Sequence, residues 1–504
     1  MKLTKQQQEI VDYSGNLAVK ANAGTGKTQT MVCKIEKEIK ENNSHKVIAA
    51  ITFTIKATQE IKSRINLDLQ EHFVGTNNSF VIEEIIRPFF YDIYDYDMNK
   101  EINTDYDIEF LSFEEAVDNI ISNGLIGSYE DKNKNFVFQL ALHILKLSRA
   151  CQKYISSKFF KIYVDEYQDC DIDMHNLFMY LCNDLKIEFF IVGDDKQSIY
   201  GFKGSSPEYI NSIIKDNNFK YLCINKNQRT CKQIENYSNI LFDKTISLYE
   251  EIDNQNNIFL IKTNKLNWVK DVKQYINMDE KLALLRFRKV DAEEGANQLS
   301  NNGIECSYIS QTPVSTITTK TAWIYNYIAM YIIKNKFSIY DFLAGAPQNC
   351  IERDNTIKNL KDKLNILKES FRDLTKDEFA ELVNEVFSIL NQDLDEKNFE
   401  KLYETVINDI YYNIYNLDSI DRISITFHAS KGLEYEQIIV FANDYNLTDI
   451  ESRYNHYVAV TRAKSKLIIV YCGEEFHATI FKKNFCKIIK NNNLDIGKVL
   501  TIIK

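Results

Sequence analysis

The chain has 504 residues, of which 44% are apolar and 26% charged, and these proportions are those of a globular protein with about three or four domains. Its ten cysteines form no C-x-x-C pair, which indicates free thiols in a reducing cytosol. No apolar stretch reaches the roughly 18–20 residues of a membrane span, and the N-terminus lacks the apolar core of a signal peptide. These features exclude a membrane protein and predict a cytoplasmic one.

The net charge of −10 at first argues against a nucleic-acid partner, but this charge is unevenly distributed. Residues 92–118 hold ten acids and one lysine and so carry −9, which leaves the rest of the chain near −1. Phe476–Lys504, by contrast, holds six lysines and one aspartate. Because phosphate contacts depend on local charge, this distribution permits DNA binding.

Short apolar, β-branched runs recur along the chain, each followed by a turn and a helical pattern. Buried runs that alternate with helices are typical of parallel strands in an α/β fold. Two helix-rich stretches interrupt the alternation, at about 87–145 and 311–420. The predicted strands are Leu17–Lys20, Val47–Phe53, Lys161–Val164, Phe189–Val192, Ile258–Ile261, Leu282–Leu285, Ile438–Phe441 and Leu467–Val470.

The first predicted strand is followed at once by a glycine-containing turn that opens a helix. Glycines allow the backbone N–H groups of such a turn to face phosphate oxygens at the helix N-terminus. Lys27 would reach the β- and γ-phosphates, and Thr28 would hold Mg²⁺. Ala21 replaces the first glycine of the usual G-x-x-x-x-G-K-[ST] pattern. The sequence of this P-loop is Ala21-Asn22-Ala23-Gly24-Thr25-Gly26-Lys27-Thr28.

A pair of acids, Asp165 and Glu166, follows the strand predicted at Lys161–Val164. In an ATP-hydrolysing site, Asp165 would bind the metal and Glu166 would polarise the attacking water. The alternative is two acids that merely cap a surface strand. The P-loop in the same chain favours the first interpretation, with ATP and Mg²⁺ as substrate and cofactor.

With these motifs in place, the chain resembles the UvrD/Rep/PcrA helicases of superfamily 1A. Each short motif is weakly specific by itself, whereas the complete set in family order is very specific. The resemblance implies an α/β fold of two RecA-like P-loop domains with parallel sheets, each interrupted by a small, mainly helical insert. It also implies an ATP-dependent DNA helicase. The matching strings are Leu3–Gln7 (Q motif), Ile51–Ala57 (Ia), Gly75–Phe80 (Ib), Val192–Gly204 (III), Asn227–Thr230 (IV), Thr426–Tyr435 (V) and Tyr457–Ala463 (VI).

The resemblance assigns roles in ATP binding and hydrolysis. Gln7 would contact the adenine edge, Glu434 the ribose hydroxyls and Gln197 the γ-phosphate or its water. Arg229 and Arg462 would be arginine fingers that neutralise charge in the transition state. The implied catalytic residues are Lys27, Asp165, Glu166, Gln197, Arg229 and Arg462, and the implied metal ligands are Thr28 and Asp165. The other implied nucleotide contacts are Gln7, Ala23, Gly24, Thr25, Gly26, Gln29, Gln228, Gly432 and Glu434.

The resemblance also implies a DNA-binding set. Phe53, Tyr200 and Phe202 would be stacking platforms for bases, worth ~1–3 kcal/mol each. Core packing is the ordinary role of an aromatic in a chain with 30 Phe and 30 Tyr, so this assignment depends on motif position. The implied backbone contacts are Thr52, Thr76, Lys203 and Thr426, and His428 would couple the DNA and ATP sites.

Two glutamines depart from the family pattern: Gln29 stands where Arg is usual, and Gln228 replaces the Tyr of Asn-Tyr-Arg. Family members hold the adenine between those two side chains, so stacking is expected to be weaker here and the nucleotide preference stays open. Motif III has Phe202 and Lys203 in place of Trp and Arg. Phe keeps a stacking face, whereas Lys keeps the charge but loses the bidentate fork.

The family pattern predicts a four-part domain map. Its acidic insert 1B is expected to be either a docking face for a protein partner or a solvated surface. The map assigns 1–86 and 146–221 to domain 1A, 87–145 to insert 1B, 222–310 and 422–504 to domain 2A, and 311–420 to the helical insert 2B.

Three functions are compatible with these motifs. The first is a free-standing 3′→5′ helicase or translocase acting on single-stranded and duplex-junction DNA in repair or replication. The second is the motor or DNA-sensing subunit of an anti-phage or repair complex with a separate nuclease, favoured by the small inserts, the acidic 1B and the altered adenine pocket. The third, a switch that hydrolyses little ATP, is disfavoured because every hydrolytic residue is present. DNA-versus-RNA preference and the pathway stay open.

Overall fold

The computed structural model describes residues 3–97, 99–319, 321–334, 336–344, 354–473 and 475–503. The chain forms two compact units, unit 1 with Met1–Tyr275 and Ser430–Lys504, and unit 2 with Ile276–Ala429. The finer four-part domain map stays a prediction.

All eight predicted strands are confirmed, with ends that shift by a few residues. The strands that were not predicted are short, at a sheet edge, or rich in polar residues. The strands of the described residues are β1 (Leu17–Ala21), β2 (Val47–Thr52), β3 (Phe73–Thr76), β4 (Asn103–Phe110), β5 (Leu125–Tyr129), β6 (Phe159–Val164), β7 (Glu188–Gly193), β8 (Lys220–Ile224), β9 (Ile258–Thr263), β10 (Leu282–Arg286), β11 (Ser307–Tyr308), β12 (Arg422–Thr426), β13 (Tyr435–Phe441), β14 (Ala463–Cys472) and β15 (Thr501–Ile503).

Helices connect these strands, and among the described residues none is long and apolar enough to cross a membrane. The α-helices are α1 (Lys5–Asp12), α2 (Lys27–Glu41), α3 (Ile55–Arg64), α4 (Asn77–Val81), α5 (Arg87–Phe89), α6 (Phe113–Asn123), α7 (Phe136–Leu147), α8 (Arg149–Lys158), α9 (Ile172–Asn183), α10 (Glu208–Ile214), α11 (Lys232–Asn239), α12 (Trp268–Lys273), α13 (Lys289–Asn301), α14 (Ala322–Ile333), α15 (Ile339–Ala344), α16 (Asp354–Ser370), α17 (Lys376–Ile389), α18 (Glu396–Ile407), α19 (Tyr412–Tyr415), α20 (Ile450–Val460), α21 (Phe476–Asn491) and α22 (Ile496–Val499).

Unit 1 is built on a six-stranded parallel sheet in the order β3-β2-β6-β7-β1-β8. All six residues of β2 are buried, as expected for a parallel strand covered on both faces by helices. The carboxyl ends of β1, β7 and β6 are neighbours in this order, and ligands of open α/β sheets bind at that edge. The P-loop and the acids of the predicted ATP site therefore share one edge.

Four further strands of unit 1 are parallel in the order β13-β14-β9-β15. A separate parallel pair, β4 with β5, lies inside the 87–145 insert beside α6 and α7. This pair was not predicted because the sequence of β4 is acidic and only two of its eight residues, Thr104 and Phe110, are buried.

Unit 2 contains three parallel strands in the order β11-β12-β10 and a group of helices with its own core. That core packs Ile324 and Ile328 of α14 with Leu364 of α16 and Phe387 of α17. The helix-rich stretch predicted at about 311–420 is confirmed, and α16 and α17 are among its helices. The parallel sheets of the two units confirm the predicted α/β fold class.

Candidate functional site

The P-loop lies between β1 and α2 and takes backbone conformations that favour glycine. Gly24 and Gly26 have φ of 74° and 81°, and a Cβ on Gly24 would meet the Asn227 Oδ1 at 2.7 Å and the Arg229 Cβ at 2.8 Å. The Asn227 Nδ2 donates to the Ala23 carbonyl at 3.2 Å, and the Gln228 N–H donates to the Gly24 carbonyl at 2.8 Å. Motif IV is therefore bonded directly to the P-loop.

The two acids after β6 face the P-loop lysine. The Lys27 Nζ lies 3.1 and 3.3 Å from the two carboxylate oxygens of Glu166, whose own backbone is left-handed with φ of 51°. Such a non-glycine conformation is costly and concentrates at functional sites. Burial and the neighbouring Glu166 charge raise the pKa of Asp165. Burial acts the same way on Glu166, but Lys27 and Lys431 outweigh it and hold the pKa of that carboxyl below its ordinary value.

Thr28 and Asp165 remain the predicted ligands of Mg²⁺. Asp165 is buried, and its Oδ1 accepts the Glu166 N–H at 2.9 Å. No group of three His, Cys, Asp or Glu that could hold a metal ion is found among the described residues. Mg²⁺ is usually bound by one or two carboxylates together with substrate phosphates and water, and Asp165 would supply one such carboxylate.

Asp194, directly after β7, accepts hydrogen bonds from motifs III and VI. Its carboxylate accepts from the Gln197 Nε2 at 2.8 Å, the Tyr457 hydroxyl at 3.1 Å and the Lys196 Nζ at 2.5 Å. The Tyr457 oxygen in turn accepts the Ala23 N–H at 3.3 Å. Burial favours the neutral acid, but the charges of Lys196 and Lys27 outweigh it and lower the pKa of Asp194. A buried carboxylate thus ties the P-loop to motifs III and VI.

The two predicted arginine fingers have different partners. The Arg462 Nη2 donates to the Gln197 Oε1 at 3.1 Å, and its Nε donates to the Val458 carbonyl at 3.0 Å. Burial and the nearby Arg229 charge lower the pKa of Arg462 to about 10, so the group stays cationic at neutral pH. The Arg229 Nη2 pairs with Glu434 at 2.6 Å. For Arg229 and Glu434 to take their predicted roles, ATP has to replace this ion pair.

Lys431 of motif V connects the ATP residues with the predicted DNA residues. Its Nζ pairs with Asp169, donates to the Gln197 carbonyl at 3.4 Å and lies 5.1 Å from the centroid of the Tyr200 ring. Burial lowers the pKa of Lys431, but Asp169 and Glu166 outweigh it, so the net direction is upward. This partly buried cation therefore contacts the backbone of Gln197, the predicted γ-phosphate sensor, and a predicted stacking platform.

The predicted adenine contacts lie at the borders of the P-loop. The Gln7 Nε2 donates to the Thr25 carbonyl at 3.1 Å, and its Oε1 accepts the Thr4 N–H at 2.8 Å. Gln29 is on the first turn of α2, where its Nε2 contacts the Cys33 Sγ at 3.3 Å, and the Gln228 side chain is exposed. Neither amide offers the flat face of the family's Arg and Tyr. Gly432, with φ of 81°, has no atom within 4 Å of where its Cβ would be.

Restoring the stacking pair should tighten ATP binding. Stacking is worth about 0.5–1.5 kcal/mol beyond buried area, so Gln29→Arg combined with Gln228→Tyr should lower the KM for ATP several-fold. The kcat should change little, because the base contributes equally to ground and transition states. Steady-state kinetics of both single variants and the double variant, with ATP, GTP and CTP, measure this. An unchanged KM and an unchanged base preference would show that other side chains hold the base.

A groove of about 690 Å³ in unit 1 carries the aromatic residues predicted to contact DNA. Phe53, Tyr200 and Phe202 line it, and Phe202 is 58% exposed. The Lys203 Nζ lies 5.9 Å from both the Tyr200 and the Phe202 ring centroids. Aromatic faces beside cations suit single-stranded nucleic acid. We call this cavity the aromatic groove.

The 87–145 insert contributes cations and rings to the aromatic groove in spite of its acidic composition. Tyr106, Tyr129, Lys132 and Lys134 all line it. They lie on β4, on β5 and in the turn that follows β5, apart from the acidic residues of α6. The part of the insert that faces the groove therefore contributes lysines, although the insert as a whole is acidic.

Thr52 and Thr76, which were predicted to contact the DNA backbone, use their hydroxyls in hydrogen bonds within the protein. Thr52 is fully buried, and its hydroxyl lies 2.7 Å from the Thr58 Oγ1, so its neighbour Thr54 lines the groove in its place. Thr76 caps α4 through a bond from the Ser79 N–H at 3.2 Å, and Asn77 and Asn78 reach the groove.

Two predicted DNA contacts lie in unit 2. There Thr426 ends β12, and the rings of Phe427 and His428 lie 3.9 Å apart with Phe287 at 6.0 Å from His428. Phe287 is 44% exposed, which leaves an aromatic patch on that unit.

Removing the exposed ring should weaken DNA binding strongly. Phe202→Ala is expected to reduce single-strand affinity by about 5- to 150-fold, the equivalent of 1–3 kcal/mol of stacking, whereas Phe202→Trp should retain it. Fluorescence anisotropy with a labelled oligonucleotide measures this. Phe476→Ala is the matched control, because Phe476 is 74% exposed and lies outside the groove. Equal affinities of wild type and Phe202→Ala would remove Phe202 from the DNA site.

Several residues that the structure brings into the site had no predicted role: Gln168, Asp169, Asp194, Lys196, Asn227, Lys431 and Tyr457. All but two lie inside the matched motif strings, which was the available signal. Polarity at a motif position did not reveal which partner each side chain meets.

Comparison with known proteins gives consistent matches over both ends of the chain. The family model described as the UvrD/REP helicase N-terminal domain matches residues 3–109 and 89–218, and the UvrD-like helicase C-terminal domain matches 423–470. The Gabija protein GajB of Bacillus cereus is 37% identical, with 93% of this chain and 96% of that protein covered. A probable DNA helicase II homolog of Mycoplasma genitalium is 24% identical (99% and 89% covered), and the ATP-dependent DNA helicase Rep of Buchnera aphidicola is 23% identical (94% and 93%).

Proposed function

The chain belongs to the UvrD/REP helicase family and is an ATP-dependent DNA helicase, and from this premise we propose that it moves 3′→5′ along single-stranded DNA by coupling Mg²⁺-dependent ATP hydrolysis to changes in DNA grip. The observation that carries the proposal is the position of Lys431. It contacts both the Gln197 carbonyl at the ATP site and the Tyr200 ring in the aromatic groove. A change at the ATP site or in the aromatic groove therefore acts on Lys431.

The proposed hydrolysis uses the residues of this edge. Glu166, which Lys431 keeps ionised once Lys27 has moved to the phosphates, accepts the proton of the attacking water. Arg462, oriented by Gln197 and the Val458 carbonyl, stabilises the charge that develops on the γ-phosphoryl group. Thr28 and Asp165 would hold Mg²⁺, which when bound neutralises phosphate charge.

Replacing Lys431 should separate the two activities. Lys431→Met keeps the length of the side chain but removes the cation, so the stimulation of ATP hydrolysis by single-stranded DNA should be lost. DNA-independent hydrolysis should continue at a lower rate, because Glu166 loses a charge that keeps it ionised. The measurement is ATP hydrolysis with and without an oligonucleotide. Lys464→Met, which breaks an ion pair with Glu436 of 3.3 Å at the surface, is the control. Normal stimulation of Lys431→Met would remove Lys431 from the coupling.

The direction of movement is tested with duplexes that carry one single-stranded tail. Separation of a 3′-tailed duplex but not of a 5′-tailed duplex is the expected result. The opposite preference would overturn the 3′→5′ assignment without affecting the ATP site.

A second candidate is a motor subunit that works with a separate nuclease in an anti-phage or repair complex. The similarity over nearly the full length of GajB, a protein named as part of Gabija, supports a specialised role. A groove of about 620 Å³ in the 87–145 insert supports a docking face. Its apolar lining includes Phe113, Val117 and Ile121, with the exposed carboxylates of Glu114 and Asp118 beside them. A basic amphipathic segment of the nuclease would match this pattern.

The docking face is tested by charge reversal. Purification of the native chain should recover a nuclease, and Glu114→Lys with Asp118→Lys should lose it while DNA-stimulated ATP hydrolysis continues. Glu451→Lys, at an exposed position outside the groove, is the control. Recovery of the same nuclease with the double variant would place the contact elsewhere.

A further inference from the structure

A cavity of about 370 Å³ lies in unit 1 next to the ATP site but is lined by none of the residues predicted to bind ATP or DNA. We call it the β8 cavity. Its walls come from the end of β1, the segment after β7, strand β8, the loop after α11, and the first turns of α20. Its volume is within the range of small-molecule sites, about 300–1,000 Å³.

The lining of the β8 cavity has an excess of positive charge. Its cations are Lys20, Lys196, Lys244 and Arg453, and its carboxylates are Asp195 and Asp243. Lys196 is already bound to Asp194 at 2.5 Å and to the Asn22 Oδ1 at 2.8 Å.

The other three cations have fewer carboxylate partners than Lys196. Lys20 and Lys244 share one oxygen, the Asp195 Oδ2, at 2.6 and 3.5 Å. Within the described part of the chain, the guanidinium of Arg453 donates only to the carbonyls of Leu447 and Leu241, at 3.3 and 3.5 Å, and forms no ion pair. Lysine and arginine side chains with few carboxylate partners are ordinary ligands of phosphate.

The cavity also offers groups that suit the rest of a nucleotide. Asp195 is buried, its Oδ1 lies 3.9 Å from the Lys196 Nζ, and a carboxylate commonly accepts ribose hydroxyls. Among the described residues, the Asn225 Nδ2 donates to one weak acceptor, the Cys223 Sγ, at 3.5 Å. The ring of Tyr221 is 41% exposed and gives a base a stacking face. Cations, a carboxylate, an amide and a ring thus line one cavity.

We propose that the β8 cavity is a second nucleotide site that regulates hydrolysis at the first. Its lining includes Asn22 of the P-loop but not Lys27, Thr28 or the acid pair Asp165 and Glu166, so it binds without hydrolysing. Three of its walls continue into the ATP site. Lys20 directly precedes the P-loop, Asp195 is two residues from Gln197, and Arg453 is about one helical turn from Tyr457. A ligand that binds these side chains therefore acts on the groups that position the P-loop and Arg462.

The site is tested by the stoichiometry of ADP binding in equilibrium dialysis. Wild type should bind two ADP per chain, Lys244→Glu one, and the control Lys220→Glu two. Lys244 is 71% exposed, so its substitution leaves the fold intact, and Lys220 is an exposed lysine on β8 outside the lining. Arg453→Gln should also reduce the number to one. A single ADP in wild type, or two in Lys244→Glu and Arg453→Gln, would overturn the proposal.

Inorganic pyrophosphate distinguishes a nucleotide from a free phosphate. It should displace the second ADP at least tenfold less well than AMP does, and equal displacement would overturn the nucleoside assignment. Regulation of the ATP site by the β8 cavity rests on the proposed function, and it is tested by measuring ATP hydrolysis at saturating ATP. AMP should change the rate at least twofold in wild type but not in Lys244→Glu, and equal responses would overturn it. Dialysis needs no hydrolysis, so a failure of the motor proposal would leave the stoichiometry of two unchanged.

Discussion

Glu166→Gln is expected to abolish ATP turnover while nucleotide binding is retained. Glu166 is the carboxylate that the charges of Lys27 and Lys431 keep ionised, and glutamine of the same size cannot accept a proton from water. The same ion pair predicts that Lys27→Ala also abolishes turnover, but with weaker binding, because the phosphates lose their cation. Phosphate release and binding of a fluorescent ATP analogue measure the two quantities separately.

The matched control for Glu166→Gln is Glu188→Gln. Glu188 begins β7 and pairs at 3.3 Å with Lys161, and neither residue belongs to the ATP site. Turnover by Glu166→Gln at the wild-type rate would mean that another group accepts the proton, and the assignment of the acid pair would be wrong.

Arg462→Ala is expected to slow hydrolysis by about 10³-fold at saturating ATP, as the loss of an arginine finger does in other nucleotide hydrolases. Arg462 is buried, stays cationic and is oriented by Gln197, so its charge is fixed before the reaction begins. Arg462→Lys should recover only part of the rate, because an ammonium cannot keep the bonds to both Gln197 and the Val458 carbonyl. Arg229→Ala should have a comparable effect on kcat.

The control for the finger variants is Arg64→Ala, which removes a surface pair with Glu60 on α3. The rate of single-turnover hydrolysis separates chemistry from product release. A kcat of Arg462→Ala within a fewfold of wild type would contradict the placing of this arginine at the reacting phosphate.

Some of the fold and site followed from the sequence for clear physical reasons. Central parallel strands are buried on both faces, so β2, β6, β7 and β14 are apolar runs that composition alone reveals. The P-loop was also recognisable, because Gly24 and Gly26 need positive φ. These features depend on local sequence.

Other parts depended on tertiary contacts and were not predictable. Tyr457 meets Ala23 across 434 positions of the chain, and Lys431 meets Asp169 across 262. No local pattern distinguishes such residues from ordinary polar ones. β4 was missed because its acidic exposed positions interrupt the apolar pattern. Thr52, predicted to touch DNA, has its hydroxyl bonded inside the protein instead.

The most direct test of the central claim is the rate of ATP hydrolysis with and without single-stranded DNA. A motor whose ATP site and aromatic groove share Lys431 should hydrolyse ATP at least tenfold faster when DNA is bound, and only with Mg²⁺ present. Equal rates with and without DNA would contradict this account and would indicate a nucleotide switch whose ATP hydrolysis does not respond to bound DNA.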